Sequence, residues 1–254
     1  MAAVRQLFDG YDTGVLMADD YVGRLLQQLA ELNIDADTVV MLSSDHGENL
    51  GELNVYGDHQ TADQPTTRIP LILKWPGLLE GGRFTAKHYQ IDVTATLLEM
   101  LDRPVPEIWD GVSFAAGLKS GRDTGREYLV LSQAAWTCQR GVRFDDWLYL
   151  HTRHDAYHLY DDEMLFDLTA DPYQQVNRAG DDPAALRRGQ GLLAGWLAEM
   201  QEGIAHGRDP HDNVMAEGGP YHVRGQLPGY LERLRSTERG PLATQLEHIW
   251  GTPA

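Results

Sequence analysis

The sequence predicts an α/β protein: part of a doubly wound, mostly parallel sheet, followed by a small antiparallel α+β subdomain. Three patterns carry this expectation. Residues 11–32 place Val15, Val22, Leu25, Leu26, Leu29 and Leu32 at three- and four-residue steps, and the apolar run 39–42 follows after a short turn. A second apolar run, 69–75, leads on to another helical pattern after Asp92. From Tyr128 the chain changes to short segments that alternate apolar and polar residues, split by turns such as Asp145-Asp146.

Taken in order, helix 11–32 ends at Asn33, a residue suited to a helix end, and residues 34–37 turn into the strand at 39–42. Four consecutive apolar side chains there predict a strand buried on both faces. Residues 48–64 are polar and Gly-rich and read as a loop. Pro70 must sit at the start of the next strand, because a proline further in would remove a ladder donor. Pro76-Gly77 turns the chain. Asp92 caps a helix running to about Leu101, with Val93, Leu97, Leu98 and Leu101 on one face, and Pro104 forbids its continuation. Residues 103–126 are rich in Pro, Gly and Asp and mark a domain seam. Strands are expected at 128–133, 138–144, 147–152 and 157–166, then a helix from Asp182-Pro183 with Leu186, Leu192, Leu193, Trp196, Leu197 and Met200 on its buried side. The expected division is therefore an α/β domain at 1–126, an antiparallel subdomain at 127–206 and an extended tail at 207–254.

Composition narrows the partners. The chain has 254 residues, 42% hydrophobic and 23% charged, with a formal net charge of -17. Such a balance disfavours nucleic acid and anionic lipid surfaces, because phosphate binding needs clustered Lys and Arg. No window is apolar enough to span a bilayer and Met1 is not followed by a signal-type run, so the default expectation is a cytoplasmic protein. The single cysteine, Cys138, excludes an internal disulfide framework and reads as a small strand residue.

The chemistry gathers where the first strand ends. After Ser43-Ser44, Asp45, His46 and Gly47 follow directly. A carboxylate and an imidazole at the carboxyl end of a strand lie where open α/β sheets bind ligands, and glycine lets the backbone turn sharply away. That pairing suits a divalent metal, against the plainer reading of an Asp-capped turn beside a loop histidine. In the following loop Asp58, His59 and Asp63 stand out. Asp19 and Asp20 read as solvated helix carboxylates, Lys74 as solvent-facing and His88 as structural. His151, His154 and His158 match no ligand spacing, so an exposed hairpin is expected there.

Five blocks in order resemble the sulfatases of the alkaline phosphatase superfamily, over roughly residues 10–200. They are SSDHGENLGE at 43–52, RIPLILKWPG at 68–77, DVTATLL at 92–98, DGVS at 110–113, and LFDLTADP at 165–172 ending at Asn177. The Asp-Asp-x-Val-Gly pattern at 19–23 is similar as well. The resemblance is to the carboxyl-terminal portion of an arylsulfatase-like enzyme. It implies hydrolysis of a sulfate ester, on a small molecule or a carbohydrate, beside a divalent ion, commonly calcium. Asp45 and His46 would be metal ligands. His59 occupies the slot where many sulfatases carry a lysine, and would contact the transferring group or the leaving oxygen. General acid work of that kind is worth about 10²–10⁴-fold in rate.

Two departures qualify this. No Cys/Ser-x-Pro-x-Arg, the sulfatase formylglycine sequence, occurs in the chain, and Cys138 has no proline two residues on. The family's amino-terminal half, which carries the nucleophile and further metal carboxylates, has no counterpart here. The expectation is a chain inactive alone, forming oligomers through bare sheet edges or joined by a complementing amino-terminal half. Two alternatives remain open: a non-catalytic remnant that binds a metal or partner, and a phosphatase or phosphonate monoester hydrolase of the same superfamily.

Overall fold

The computed structural model describes residues 2–202 and 208–251. In chain order, helix α1 (Ala2–Glu31) leads to strands β1 (Val40–Ser43), β2 (Asn49–Leu50) and β3 (Tyr56–Asp58). A short helix α2 (Gln64–Thr67), strand β4 (Leu71–Lys74) and helices α3 (Gln90–Met100) and α4 (Ala115–Ser120) follow. Strands β5 (Tyr128–Gln133), β6 (Cys138–Phe144), β7 (Trp147–His154) and β8 (Glu163–Asp167) come next, then helices α5 (Pro183–Glu202), α6 (Pro210–Ala216), α7 (Leu227–Ser236) and α8 (Gly240–Trp250). The chain divides into two units: residues 1–50 with 68–127, and residues 51–67 with 128–254.

In the first unit β1 pairs with β4, from Val40 opposite Lys74 to Ser43 opposite Leu71. The pairing is antiparallel, whereas a mostly parallel sheet was expected. A parallel return needs a long crossover, usually a helix, to carry the chain back along the sheet, and the connection here holds only the short strands β2 and β3, a 3-10 turn and the four-residue α2. Burial departs from expectation too: Met41 and Leu42 are exposed and only Val40 is half-buried. With one neighbouring strand each among the described residues, β1 and β4 present faces that no helical layer covers. Helix α1 begins earlier than expected, and none of its described residues is fully buried. Asp20 on its surface pairs with Arg24 at 2.7 Å, and Lys74 is solvent-exposed.

Asp92 organises the rest of this unit. It sits at the third helical position of α3 rather than at the cap. Tyr89 is the cap, and the Asp92 carboxylate accepts the Tyr89 backbone N–H at 2.8 Å in a capping box. The other carboxylate oxygen accepts the Val112 N–H at 2.7 Å, and Arg126 spans both oxygens. A β-carbon at Gly111 would overlap the carbonyl of Ile91, which is why glycine precedes Val112 in the DGVS block.

The second unit is built on an antiparallel meander, β5-β6-β7-β8. Sequence reading placed the first three strands within two residues, but extended the fourth too far. Residues 156, 157 and 159 have positive φ and form a turn before β8. Alternation along β7 sorts the core. Tyr149 faces Val130, Val142, Phe144 and Leu165 under α5, which contributes Leu193 and Trp196. Leu148 and Leu150 face the opposite side with Met164, Phe166 and Ala62. Asn177 fixes the end of β8, accepting the Leu165 N–H at 2.9 Å. The stretch read as an extended tail with one short helix at about Tyr230 to Arg235 holds that helix as α7, with α6 before it and α8 after it. Helices α7 and α8 pack through Leu231, Leu234, Ala243 and Leu246, because their apolar residues recur at helical spacing.

Candidate functional site

Asp45 and His46 lie directly after β1, on the segment that leaves the strand through Ser44. The backbone N–H of His46 donates to Asp45 Oδ1 at 2.9 Å, and the Ser44 hydroxyl donates to the His46 carbonyl at 2.7 Å. These bonds hold the chain in a tight corner that brings the two side chains to within 3.8 Å of each other. The His46 ring nitrogen Nε2 lies 3.8 Å from Asp45 Oδ2. The other ring nitrogen, Nδ1, is 2.8 Å from the carbonyl of Gly47. A carbonyl only accepts, so Nδ1 carries a proton and Nε2 is the ring nitrogen turned to the carboxylate, the one left to ligate a cation. The Asp45 carboxyl is held below its usual range, chiefly by the His46 backbone N–H. It is therefore ionised at neutral pH.

Glu48 joins this pair. A carboxylate oxygen of Glu48 and a ring nitrogen of His46 lie within 4.8 Å of each other. Sequence reading passed over Glu48. An ionised carboxylate, the ring nitrogen Nε2 and a second carboxylate make a mixed oxygen and nitrogen donor set. That chemistry fits a divalent cation, the carboxylates being the ligands calcium prefers.

His59 belongs to the second unit, directly after β3. Its Nδ1 lies 3.5 Å from Asp58 Oδ1, and its backbone N–H donates to the same oxygen at 2.8 Å. The loop that carries it, read from the sequence only as polar and Gly-rich, is packed into this unit. Thr61, Ala62 and Asp63 are completely buried. Gln133 Nε2 donates to the His59 carbonyl at 2.9 Å, Thr137 Oγ1 to the Gln60 carbonyl at 2.7 Å, and Ala62 N–H to Gln139 Oε1 at 3.1 Å. Side chains of β5, β6 and their connection thus supply the hydrogen bonds that a buried, non-repetitive backbone requires. The imidazole itself stays 42% exposed.

The remaining candidates separate cleanly. His88 stacks on Phe114 at 4.0 Å, and burial lowers its pKa, as suits a structural residue. His154 is 4% exposed and stacks on Trp250, while His158 bonds the Gln60 side chain at 3.0 Å and stacks on Tyr160. The expected exposed hairpin is therefore a packed one. Among the described residues, His151, His154 and His158 do not converge into a ligand set. Cys138 is fully buried, and burial pushes its thiol up to about 11, so it is no nucleophile.

Comparison with known proteins supplies the context. The sulfatase family matches residues 2–103, which include Asp45, His46, Glu48 and His59. An ulvan-active sulfatase of Formosa agariphila is 29% identical over 189 residues, covering 70% of this chain and 36% of that protein. A choline-sulfatase of Rhizobium meliloti is 30% identical over 182 residues, covering 69% and 34%. The chain thus spans about a third of the length of these curated relatives. Among solved structures, a phosphonate monoester hydrolase from Silicibacter pomeroyi superposes with a TM-score of 0.60 at 24% identity, covering 74% of this chain and 40% of that one. No helix among the described residues is long and apolar enough to cross a membrane.

Proposed function

The chain belongs to the sulfatase / alkaline phosphatase superfamily, and on that footing we propose that it is part of a sulfate ester hydrolase in which Asp45 and His46 hold a divalent cation, calcium, with Glu48 beside them. The observation that carries this reading is the corner at Ser44–Gly47. It brings an ionised carboxylate and an imidazole nitrogen to within 3.8 Å of each other. Groups fixed this way before the ligand arrives lose little entropy on binding it. The cation, when bound, supplies positive charge to the ester oxygens as charge develops on them.

In this reading His59 touches the transferring group or the leaving oxygen. Its ring stands half-exposed on a backbone that Gln133 and Thr137 clamp, so the imidazole is positioned without being sealed off. Asp58 Oδ1 lies 3.5 Å from its Nδ1 and orients the ring. The substrate class is a small-molecule or carbohydrate sulfate ester, in keeping with the names of the ulvan-active and choline sulfatases. The nucleophile is assigned to polypeptide outside these 254 residues, because no Cys/Ser-x-Pro-x-Arg occurs among them. Phosphonate monoester hydrolysis is the second reading, favoured by the fold shared with the Silicibacter pomeroyi enzyme.

Calorimetric titration with calcium tests the metal assignment. Saturable heat is expected from the chain and its loss in Asp45→Ala and in His46→Ala; equal heats in wild type and Asp45→Ala would overturn it. Turnover of an aryl sulfate by the chain alone in calcium would overturn the assignment of the nucleophile elsewhere.

A further inference from the structure

A cavity of about 170 Å³ opens within the second unit, between strands β6 and β7, helix α5 and the start of α6. Arg140, Arg153, His151 and His211 line it on the polar side, Leu193 and Leu197 on the other. Leu193 and Leu197 come from α5, whose buried stripe leaves an apolar wall here.

The polar side is not fully satisfied by the protein. His211, 4% exposed, lines the cavity, and its imidazole can donate to or accept from a ligand there. Arg140, 7% exposed, donates from Nη1 to Ser132 Oγ at 2.8 Å and from Nη2 to Asp209 Oδ1 at 2.6 Å. Its Nε–H is buried without a partner.

The sign of the missing partner follows from the donor count. Each guanidinium carries five N–H donors; Arg140 spends two, and Arg153 spends one on Asp212 Oδ1 at 2.7 Å. The one carboxylate in the lining, Asp209, is already engaged by Arg140 and by the His211 backbone N–H at 2.9 Å. A cation would face two guanidinium groups and a single carboxylate already ion-paired with Arg140. No third imidazole, thiolate or carboxylate joins His151 and His211 in a metal-ligand set among the described residues. A ligand rich in acceptor oxygens answers both conditions. Size agrees, since the volume equals that of about five or six waters, room for a tetrahedral or planar oxyanion with part of its carrier.

We propose that this cavity is a small-oxyanion site, taking a sulfate, phosphate or carboxylate group against Arg140, Arg153 and His211 with its carrier on Leu193 and Leu197. The site uses none of the residues assigned to the metal centre, so it stands whether or not that reading does. Burial and the Arg140 charge hold the His211 imidazole neutral in the empty cavity, its pKa pushed down to about 4. An anion alongside opposes both effects and makes the ring a sensitive reporter.

The test is a titration of the isotope-labelled full chain, following the His211 ring resonance, assigned by its disappearance in His211→Gln. Sodium sulfate, sodium phosphate and sodium glucuronate are added separately, with sodium chloride at matched ionic strength as the control. A saturable shift with at least one oxyanion and none with chloride is expected. Saturation by sulfate or phosphate identifies a free inorganic ion as sufficient, and saturation by glucuronate alone identifies a sugar acid. Arg153→Gln should weaken binding about tenfold or more, the effect of losing one charge-assisted hydrogen bond, and Arg178→Gln on the surface should not change it. Should Arg153→Gln fail to fold, His151→Gln makes the same comparison. No saturable shift with any of the three anions, or undiminished binding in the variant, would overturn the proposal.

Discussion

Arg126 grips Asp92 through two hydrogen bonds, Nη2 to Oδ1 at 2.6 Å and Nε to Oδ2 at 2.8 Å, across 34 residues of sequence. The carboxylate is completely inaccessible, and the guanidinium also lies over the Tyr89 ring at 4.8 Å. The same carboxylate therefore caps α3, holds Val112 and anchors the last residues before the seam.

Removing the arginine leaves that buried charge with only two backbone donors. Arg126→Ala should destabilise the chain by about 3–5 kcal/mol, the cost typical of breaking a buried pair from one side. Urea denaturation would register it as a lower midpoint. A midpoint within error of wild type would show that the pair is not what fastens α3.

Gly189, inside α5, makes the opposite of the usual helix prediction. Glycine to alanine normally gains up to about 1 kcal/mol in a helix interior. Here the added carbon would come within 2.6 Å of Tyr149 Cβ and 3.2 Å of Phe144 Cε1, both in the core. Gly189→Ala should instead cost about 1–3 kcal/mol through overpacking, measured as a drop in Tm.

Cys138 should resist thiol reagents in the native chain. It is fully buried with its thiol pushed up to about 11, so little thiolate exists at pH 8 and none is reachable. A disulfide-exchange dye should label it only after denaturation. Rapid labelling of the folded chain would contradict the packing of β6.

Stability between pH 4 and 6.5 should rise with pH in a way that His211 explains. The unfolded imidazole takes up a proton near its ordinary 6.5 while the folded one stays neutral to about 4. Across that window the unfolded state binds one more proton, so falling pH erodes stability, by up to about 3 kcal/mol. His88, His154 and His158 act in the same direction, so the comparison of wild type with His211→Asn isolates this residue. Chemical denaturation across the window should give a flatter pH slope in the variant. Parallel slopes would mean that His211 protonates as easily folded as unfolded.

The legible parts of this protein were those whose causes are close in sequence. The strands from Tyr128 to Phe144 read correctly because alternation and turn residues act within a few positions. The metal candidates read from three adjacent residues, Asp45, His46 and Gly47, at the end of an apolar run. Asp92 was read as a cap, close to its actual place in the box. Glu48 was missed because its nearness to the His46 ring depends on the path of the backbone after the strand, which residue types alone did not indicate.

By itself, then, the sequence determined the helix before β1, the successive strands β5, β6 and β7 and the helix α5 after the meander, the placing of an acid and an imidazole after a strand, and the exclusion of an internal disulfide. Tertiary structure alone decided that β1 lies antiparallel to β4 and largely uncovered, that the His59 loop is buried, and that Arg140 meets Asp209, 69 residues away, beside a cavity. Local propensity is set by neighbours along the chain. Burial and charge pairing are set by neighbours in space, which come together only when distant segments share a core.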